Sequence, residues 1–356
     1  PPHAPAPRPS VPPCLYLYPP SVSSSPTPIP VIAGPTAGGK SEVALRLADE
    51  VRDRAGTDAE IVSADAFQVY RGLDIGTAKP TPDQRRLVAH HLIDVVEPTS
   101  PYSVEHWLDD AERAVADIRD RGKIPVVVGG THLYIKAFLD GLFRGPAPDP
   151  DLRELLRAME PAARRAELEQ VDPDAAARIH PNDDRRTIRA LEVYRQTGTP
   201  ISALQTQWDT TPARADRRLF ILDWPAEALN RRINARVHAM MDAGLLAETA
   251  ALYESGRLGT QARQALGYKQ LYRYLKAGGG SPPVGPREQE ALDDAVERIK
   301  IETRRFAKNQ RTWLRRLRAT PGVAAFEADP FDPRSIAQTI ATEGLAPQAA
   351  PGPDPS

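Results

Sequence analysis

The stretch VIAGPTAGGKSEVALRLADE, residues 31–50, constrains the fold more than any other part of the chain. A short apolar run leads into a glycine-rich turn and then into a helix with one apolar side. Gly34 and Gly39-Lys40-Ser41 fit the spacing G-x-x-x-x-G-K-[ST], a loop whose backbone N–H groups surround phosphate oxygens. The helix that follows adds partial positive charge at its N-terminus. Lys40 adds a full charge, and the Ser41 hydroxyl is the kind of oxygen that Mg²⁺ takes as a ligand. A strand, this loop and a helix in succession imply an α/β domain that handles a phosphorylated ligand. The loop speaks for phosphate, and for a nucleotide only by association.

The same alternation continues to residue 142. Apolar runs at 30–33, 60–63, 92–95 and 124–128 read as strands, and 40–54, 103–121 and 131–140 as helices. The run IPVVVGG is apolar throughout, as a strand buried on both faces must be. Alternation of this kind predicts a parallel sheet covered by helices, with ligands beyond the carboxyl ends of the strands. The Pro-rich hinge RGPAPDP then changes the pattern, and 151–207 carries only helical periodicity, so 144–216 is predicted to be an all-helical insertion. RRLFILDW (217–224) returns to a strand. Helices follow at 226–241, 244–255, 264–276 and 287–318, then a possible edge strand in VAAFEAD and a last helix at 332–343. The expected architecture is a P-loop NTPase-like parallel sheet flanked by helices (30–143 and 217–345) that carries the insertion. Residues 1–29 and 346–356 are rich in proline and small residues and are expected to be disordered; CLYLY is too short for the core of a signal peptide.

Composition narrows the partners. The net charge is −1, so any nucleic-acid face must come from uneven charge distribution. The single cysteine, Cys14, excludes an intramolecular disulfide and a multi-cysteine zinc site, and it fits a reducing cytoplasm. No apolar run approaches the ~20 residues of a membrane span, so no membrane partner is expected.

Four further groups of residues could carry chemistry. In EIVSADAFQVYRGLDIGTAKPT (60–81) an apolar strand ends at Asp65, beside the phosphate loop. That carboxylate could hold a metal's water shell or act as a general base; it could also cap a helix beginning at Ala66, and the roles are compatible. Gly72, Gly76, Thr77 and Lys79 follow in a polar, turn-rich segment. Gly129-Gly130-Thr131 ends another strand, as a second anion-binding corner or as an ordinary turn with Thr131 as N-cap. Arg232 and Arg236, four apart on one helix face, suit a pyrophosphate or a solvated surface. In 287–318, Lys300, Arg304, Lys308, Arg311, Arg315 and Arg318 form a basic stripe that suits a nucleic-acid backbone, while Ile299, Phe306, Trp313 and Leu317 form the opposing apolar stripe. His90-His91 reads as structural, since the other histidines are scattered, and Tyr268, Tyr272 and Tyr274 read as core, with Tyr268 at a helix start.

Taken in order, GPTAGGKS, SADAFQVYRGLDIGTAKPT, HHLIDVVEP, VVVGGTHLYIKAFLDG, IHPNDDRRTIRALEVYRQTGTP, RRINARVHAMMDAGLLAE, QALGYKQ and TRRFAKNQRTWLRR resemble the sequence blocks of bacterial tRNA dimethylallyltransferases over about residues 30–320. The resemblance implies transfer of a dimethylallyl group from dimethylallyl diphosphate to N6 of the adenosine 3′-adjacent to the anticodon, in tRNAs reading codons that begin with U. It places Gly34, Pro35, Thr36, Ala37, Gly38, Gly39, Lys40 and Ser41 around the diphosphate, with Mg²⁺ at Ser41 and with Arg232 and Arg236 as a basic pair. It makes Asp65 the general base, acting with Lys40 and Ser41. Asp65, Ala66, Phe67, Gln68, Thr131, Arg153, Arg185, Arg186, Thr187, Ile188, Arg189, Gln264, Ala265, Leu266, Gly267, Tyr268 and Lys269 fall on RNA-contact positions, for an anticodon stem-loop. A monomeric, cytoplasmic enzyme is expected. Two departures stand out. Gly38 replaces the family's usual serine, which a backbone cradle should tolerate, and Ala66 replaces a serine whose hydroxyl contact is thereby lost. The competing readings are an adenylate isopentenyltransferase acting on a free nucleotide, a P-loop small-molecule kinase turning over ATP, and a non-catalytic RNA-binding protein.

Overall fold

A computed structural model describes residues 27–346 apart from 144, 206–213, 215, 319 and 321. The expected disordered ends lie almost wholly outside the described residues, but Ile29, assigned to the leader, already begins the first strand.

Six strands form one sheet: β1 (Ile29–Ala33), β2 (Ala59–Ala64), β3 (His90–His91), β4 (Ile124–Gly129), β5 (Arg217–Asp223) and β6 (Ala324–Glu327), in the spatial order β3-β2-β4-β1-β5-β6. Every neighbouring pair is parallel. The central strands β1, β2 and β4 are buried along their whole length, and successive residues serve opposite layers. Val31 and Val127 join the core with Trp107 and Phe138, whereas Ile32 and Val128 join the one with Leu47 and Ile340. Helices α1 (Lys40–Ala55) and α14 (Pro333–Gly344) pack in the second core. The first core takes α3 (Val104–Asp120), α4 (His132–Asp140), α11 (Leu245–Glu254), α12 (Tyr268–Lys276) and much of the long α13 (Pro286–Arg318). Between β5 and α11 lies α10 (Ala226–Asp242), and the short α2 (Pro82–Leu87) precedes β3.

The parallel α/β core and the edge strand at 324–327 agree with the sequence reading. One strand does not. The run 92–95 is irregular, and only His90–His91 pair with β2. Leu92 and Asp94 have φ of 61° and 59°, which no extended strand allows. The gain is tertiary: Asp94 Oδ1 lies 2.5 Å from Lys79 Nζ and its Oδ2 2.8 Å from Arg85. Lys79, its side chain 2% exposed, also pairs with Asp74, and so ties down the turn-rich segment after β2. His91 bonds Glu60, which Arg121 and Lys123 also hold and whose carboxyl they keep well below the usual range; the structural role expected of the histidine pair fits.

Between α4 and β5 the chain forms α5 (Pro150–Ala158), α6 (Pro161–Val171), α7 (Pro173–Arg178), α8 (Asp184–Thr197) and α9 (Ile201–Leu204). They enclose a core of their own around Leu156, Leu168, Leu191 and Val193. Three of these helices begin with proline at the first turn, where its missing N–H costs nothing.

Candidate active site

Ala33, Gly129 and Ala64 sit side by side at the ends of β1, β4 and β2. Their loops therefore emerge together, and the close approach requires glycine at 129, where a Cβ would collide with the Ala64 carbonyl. In the loop after β1, Ala37 and Gly39 have φ of 59° and 79°, and a side chain at 39 would strike the Phe331 ring. The loop's carbonyls are held from outside. Arg232, packed over the rings of both Trp224 and Phe331, donates from Nε to Ala37 O at 2.9 Å; Trp224 Nε1 donates to Gly38 O at 3.1 Å and Lys40 Nζ to Pro35 O at 2.8 Å. Gly39 supplies no capping side chain, so the first N–H groups of α1 are left for a ligand. A cleft of about 860 Å³ opens on this loop, with Lys40, Ser41, Arg232 and Arg236 in its wall.

The charges around the cleft act on one another. Burial, helped by Arg236, lowers the Lys40 ammonium to a pKa of about 8, while Asp65 opposes the shift. Burial also lowers Arg236, again against Asp65. Two desolvated cations thus share the site with one carboxylate, an arrangement completed by an anion of higher charge.

Asp65 does not cap a helix, for the residues after it form turns. Its Oδ1 accepts from Phe67 N (2.9 Å) and Gln68 N (3.3 Å), and Oδ2 has no hydrogen bond among the described residues. Thr131 stands at the N-cap position of α4 without capping it; its hydroxyl accepts from Ala66 N at 3.0 Å and so sets the loop that carries Asp65.

Sequence reasoning missed Gln310. It is 2% exposed; its Oε1 accepts from Thr36 N at 2.8 Å and its Nε2 donates to Gly130 O at 2.9 Å. One side chain of α13 thereby joins the phosphate loop to the end of β4. The available signal was a glutamine one turn from Phe306 and Trp313, inside the apolar stripe. Nearby, His132 stacks on Trp313 with centroids 4.5 Å apart, and burial together with Lys40 lowers its pKa to about 4.

The expected RNA-contact residues divide. Thr187, Ile188, Ala265 and Tyr268 are buried, so their side chains belong to the core; the Tyr268 hydroxyl bonds Glu248 and accepts from Gly76 N. Arg153 and Arg189 both grip the fully buried Glu192. Gln68 is a peg between Ser63 and Thr77. Arg185, Arg186 and Gln264 are exposed, Phe67, Ala66 and Leu266 are half-buried, and Lys269 pairs with Glu302 at 3.1 Å. The basic stripe is likewise split. Lys300 and Arg304 pair with Glu297 and Arg318 with Asp223, leaving Lys308, Arg311 and Arg315 without an ion pair among the described residues. Phe306, expected in the apolar stripe, is 41% exposed.

Residues 68–317 match the family profile described as IPP transferase. The tRNA dimethylallyltransferase of Rhodopirellula baltica is 43% identical over 306 residues, spanning 84% of this chain and 88% of that protein; its counterpart in Thermotoga maritima is 42% identical over 294 residues, with 81% and 89% covered. Among solved structures, the full-length tRNA isopentenylpyrophosphate transferase of Bacillus halodurans superposes with a TM-score of 0.62 at 34% identity, covering 89% of this chain and 97% of that one. A eukaryotic dimethylallyltransferase described as acting on tRNA gives 0.70 at 28% identity, with 84% and 73% covered.

Proposed function

The chain belongs to the IPP transferase family, and on that premise we propose that it moves a dimethylallyl group from dimethylallyl diphosphate to N6 of the adenosine 3′-adjacent to the anticodon of tRNA, releasing pyrophosphate. One observation carries this reading: a phosphate cradle and a carboxylate with a free oxygen, Asp65 Oδ2, stand at the ends of strands that flank β4 in one sheet. In the step they support, the N6 lone pair forms a bond to C1 of the allyl group. The C1–O bond breaks, and its electron pair leaves with pyrophosphate. The exocyclic amine becomes acidic as it attacks, and its proton passes to Asp65. The growing negative charge on the leaving group is met by the N–H groups of α1, by Lys40 and by Arg236. Arg232, held on Ala37 O, keeps the cradle in shape.

No cluster of three or more His, Cys, Asp or Glu side chains able to hold a metal occurs among the described residues. Ser41 is exposed at the cleft, and its hydroxyl makes no hydrogen bond among the described residues. That donor set fits a Mg²⁺ that takes most of its oxygens from the diphosphate and from water, and one from Ser41. When bound, the ion would neutralise charge on the leaving group. The exposed Arg185 and Arg186 of the helical insertion, with Lys308, Arg311 and Arg315 of α13, supply cations for the RNA backbone. The lone cysteine suits a cytoplasmic enzyme, and the reading is of one that acts as a monomer.

Labelled dimethylallyl diphosphate offered with unmodified tRNA, or with AMP, tests the proposal. Label on tRNA alone is expected. Label on AMP would transfer the assignment to free-nucleotide chemistry, and ATP hydrolysis with no transfer would overturn it.

A further inference from the structure

Along α13, Ile299, Glu302, Phe306, Gln310 and Trp313 follow one another at steps of three or four residues and share one face, within about 80° of arc. Ile299 and Gln310 are each 2% exposed, and Trp313 packs on the core and on His132. Phe306, in the middle of this inward face, is 41% exposed. An aromatic ring on the covered side of a helix stays exposed only where the layer beneath has an opening. Its neighbours along that face are both engaged with other elements. One turn towards the N-terminus, Glu302 holds Lys269. One turn towards the C-terminus, about 6 Å away, Gln310 holds Thr36 of the phosphate loop and Gly130. Beside them, Arg304 Nη1 donates to Asn234, on α10 between Arg232 and Arg236, at 2.7 Å.

We propose that Phe306 is the stacking platform for the acceptor nucleobase of the RNA. The inference rests on the RNA-modification reading above and adds the side chain that receives the base. A base that leaves its own stack to reach a reactive pocket loses stacking energy, and an aromatic face restores it whatever the base. Phe306 offers such a face one helical turn from Gln310, which holds the phosphate loop and Gly130. Arg305, next to it in sequence, exposed and without an ion pair among the described residues, offers a cation for a flanking phosphate of an inserted strand.

Four variants of the full chain test this: Phe306→Leu keeps apolar bulk without a ring, Phe306→Ala removes both, and Phe306→Tyr and Phe306→Trp keep a ring. Each is assayed with dimethylallyl diphosphate and an unmodified anticodon stem-loop, with KM measured separately for RNA and donor, and with 2-aminopurine at the acceptor position as a stacking probe. The expected result is an RNA KM raised roughly tenfold in the Leu and Ala variants, an unchanged donor KM, altered 2-aminopurine fluorescence in the bound complex, and wild-type behaviour in the Tyr and Trp variants. A Leu variant indistinguishable from wild type overturns the inference. So does a loss confined to the donor KM, which would set Phe306 against the prenyl chain. Failure of the wild-type protein to prenylate RNA strikes the functional reading instead, whereas an active wild type with an unimpaired Leu variant strikes this inference alone.

Discussion

Replacing Gln310 by leucine removes two hydrogen bonds while keeping almost the same volume. In the native chain that side chain accepts from Thr36 N and donates to Gly130 O across sequence separations of 274 and 180 residues. With leucine in its place, the N–H of Thr36 and the C=O of Gly130, both on half-buried residues, lose the partner that the 2% exposed Gln310 supplied. Each unpaired buried group costs about 1–3 kcal/mol, so the variant should lose about 2–6 kcal/mol of stability if the loops cannot relax to water. The functional effect falls on the diphosphate, because Thr36 belongs to the cradle and loses its anchor. The assays are denaturant unfolding and steady-state kinetics with each substrate in turn. The expected result is a lower unfolding midpoint and a raised donor KM, with RNA affinity little changed. Glutamate at 310 keeps an acceptor for Thr36 N but faces the Gly130 carbonyl with a second oxygen, so it should fall between the two. A leucine variant that unfolds and binds donor as wild type does would show that the link between α13 and the loop has no energetic weight.

Two further outcomes follow from the same geometry. Lys40 titrates at about 8 in the ligand-free site, below its ordinary 10.5, and only its protonated form attracts a diphosphate; the donor KM should therefore be level below pH 8 and rise above it, approaching tenfold per pH unit, and a level profile to pH 10 in steady-state assays would refute this. Thr131→Val removes the acceptor for Ala66 N, a defect of about 1–3 kcal/mol borne by the loop of Asp65, so kcat should drop roughly tenfold or more at nearly constant donor KM, with Thr131→Ser restoring it; an unaltered kcat would mean that the hydroxyl does not set the base.

What the sequence revealed was mainly local. The phosphate loop is legible because its spacing, its preceding strand and its following helix occupy some twenty consecutive residues. IPVVVGG is legible because burial on both faces leaves no polar position in a strand. The misread strand at 92–95 failed because a distant demand won: Asp94 must turn towards Lys79 and Arg85, and the backbone adopts positive φ to let it. Asp65 was found from its place at a strand end, but its turn and its debt to Thr131 depend on a loop 65 residues away. Gln310 and Phe306 stayed hidden because an apolar stripe states which residues share a face and leaves open what lies opposite. Opposite Gln310 lie two backbone groups that need partners, and Phe306 is left 41% exposed. The motif blocks marked whole segments as RNA contacts, and could not separate exposed Arg185 from buried Thr187, two residues and about 200° of helix apart.

The central claim is that Asp65 takes a proton from the nucleophile while the neighbouring loop holds the leaving diphosphate. Single-turnover transfer from labelled dimethylallyl diphosphate to tRNA by Asp65→Asn tests it most directly. Asparagine keeps an oxygen for Phe67 N and Gln68 N and so preserves the turn, but it cannot accept the proton. The account predicts a transfer rate lower by about 10²–10⁴, with the dissociation constants of tRNA and donor close to those of the wild type. Transfer at the wild-type rate, or a loss that lies wholly in tRNA binding, would contradict it.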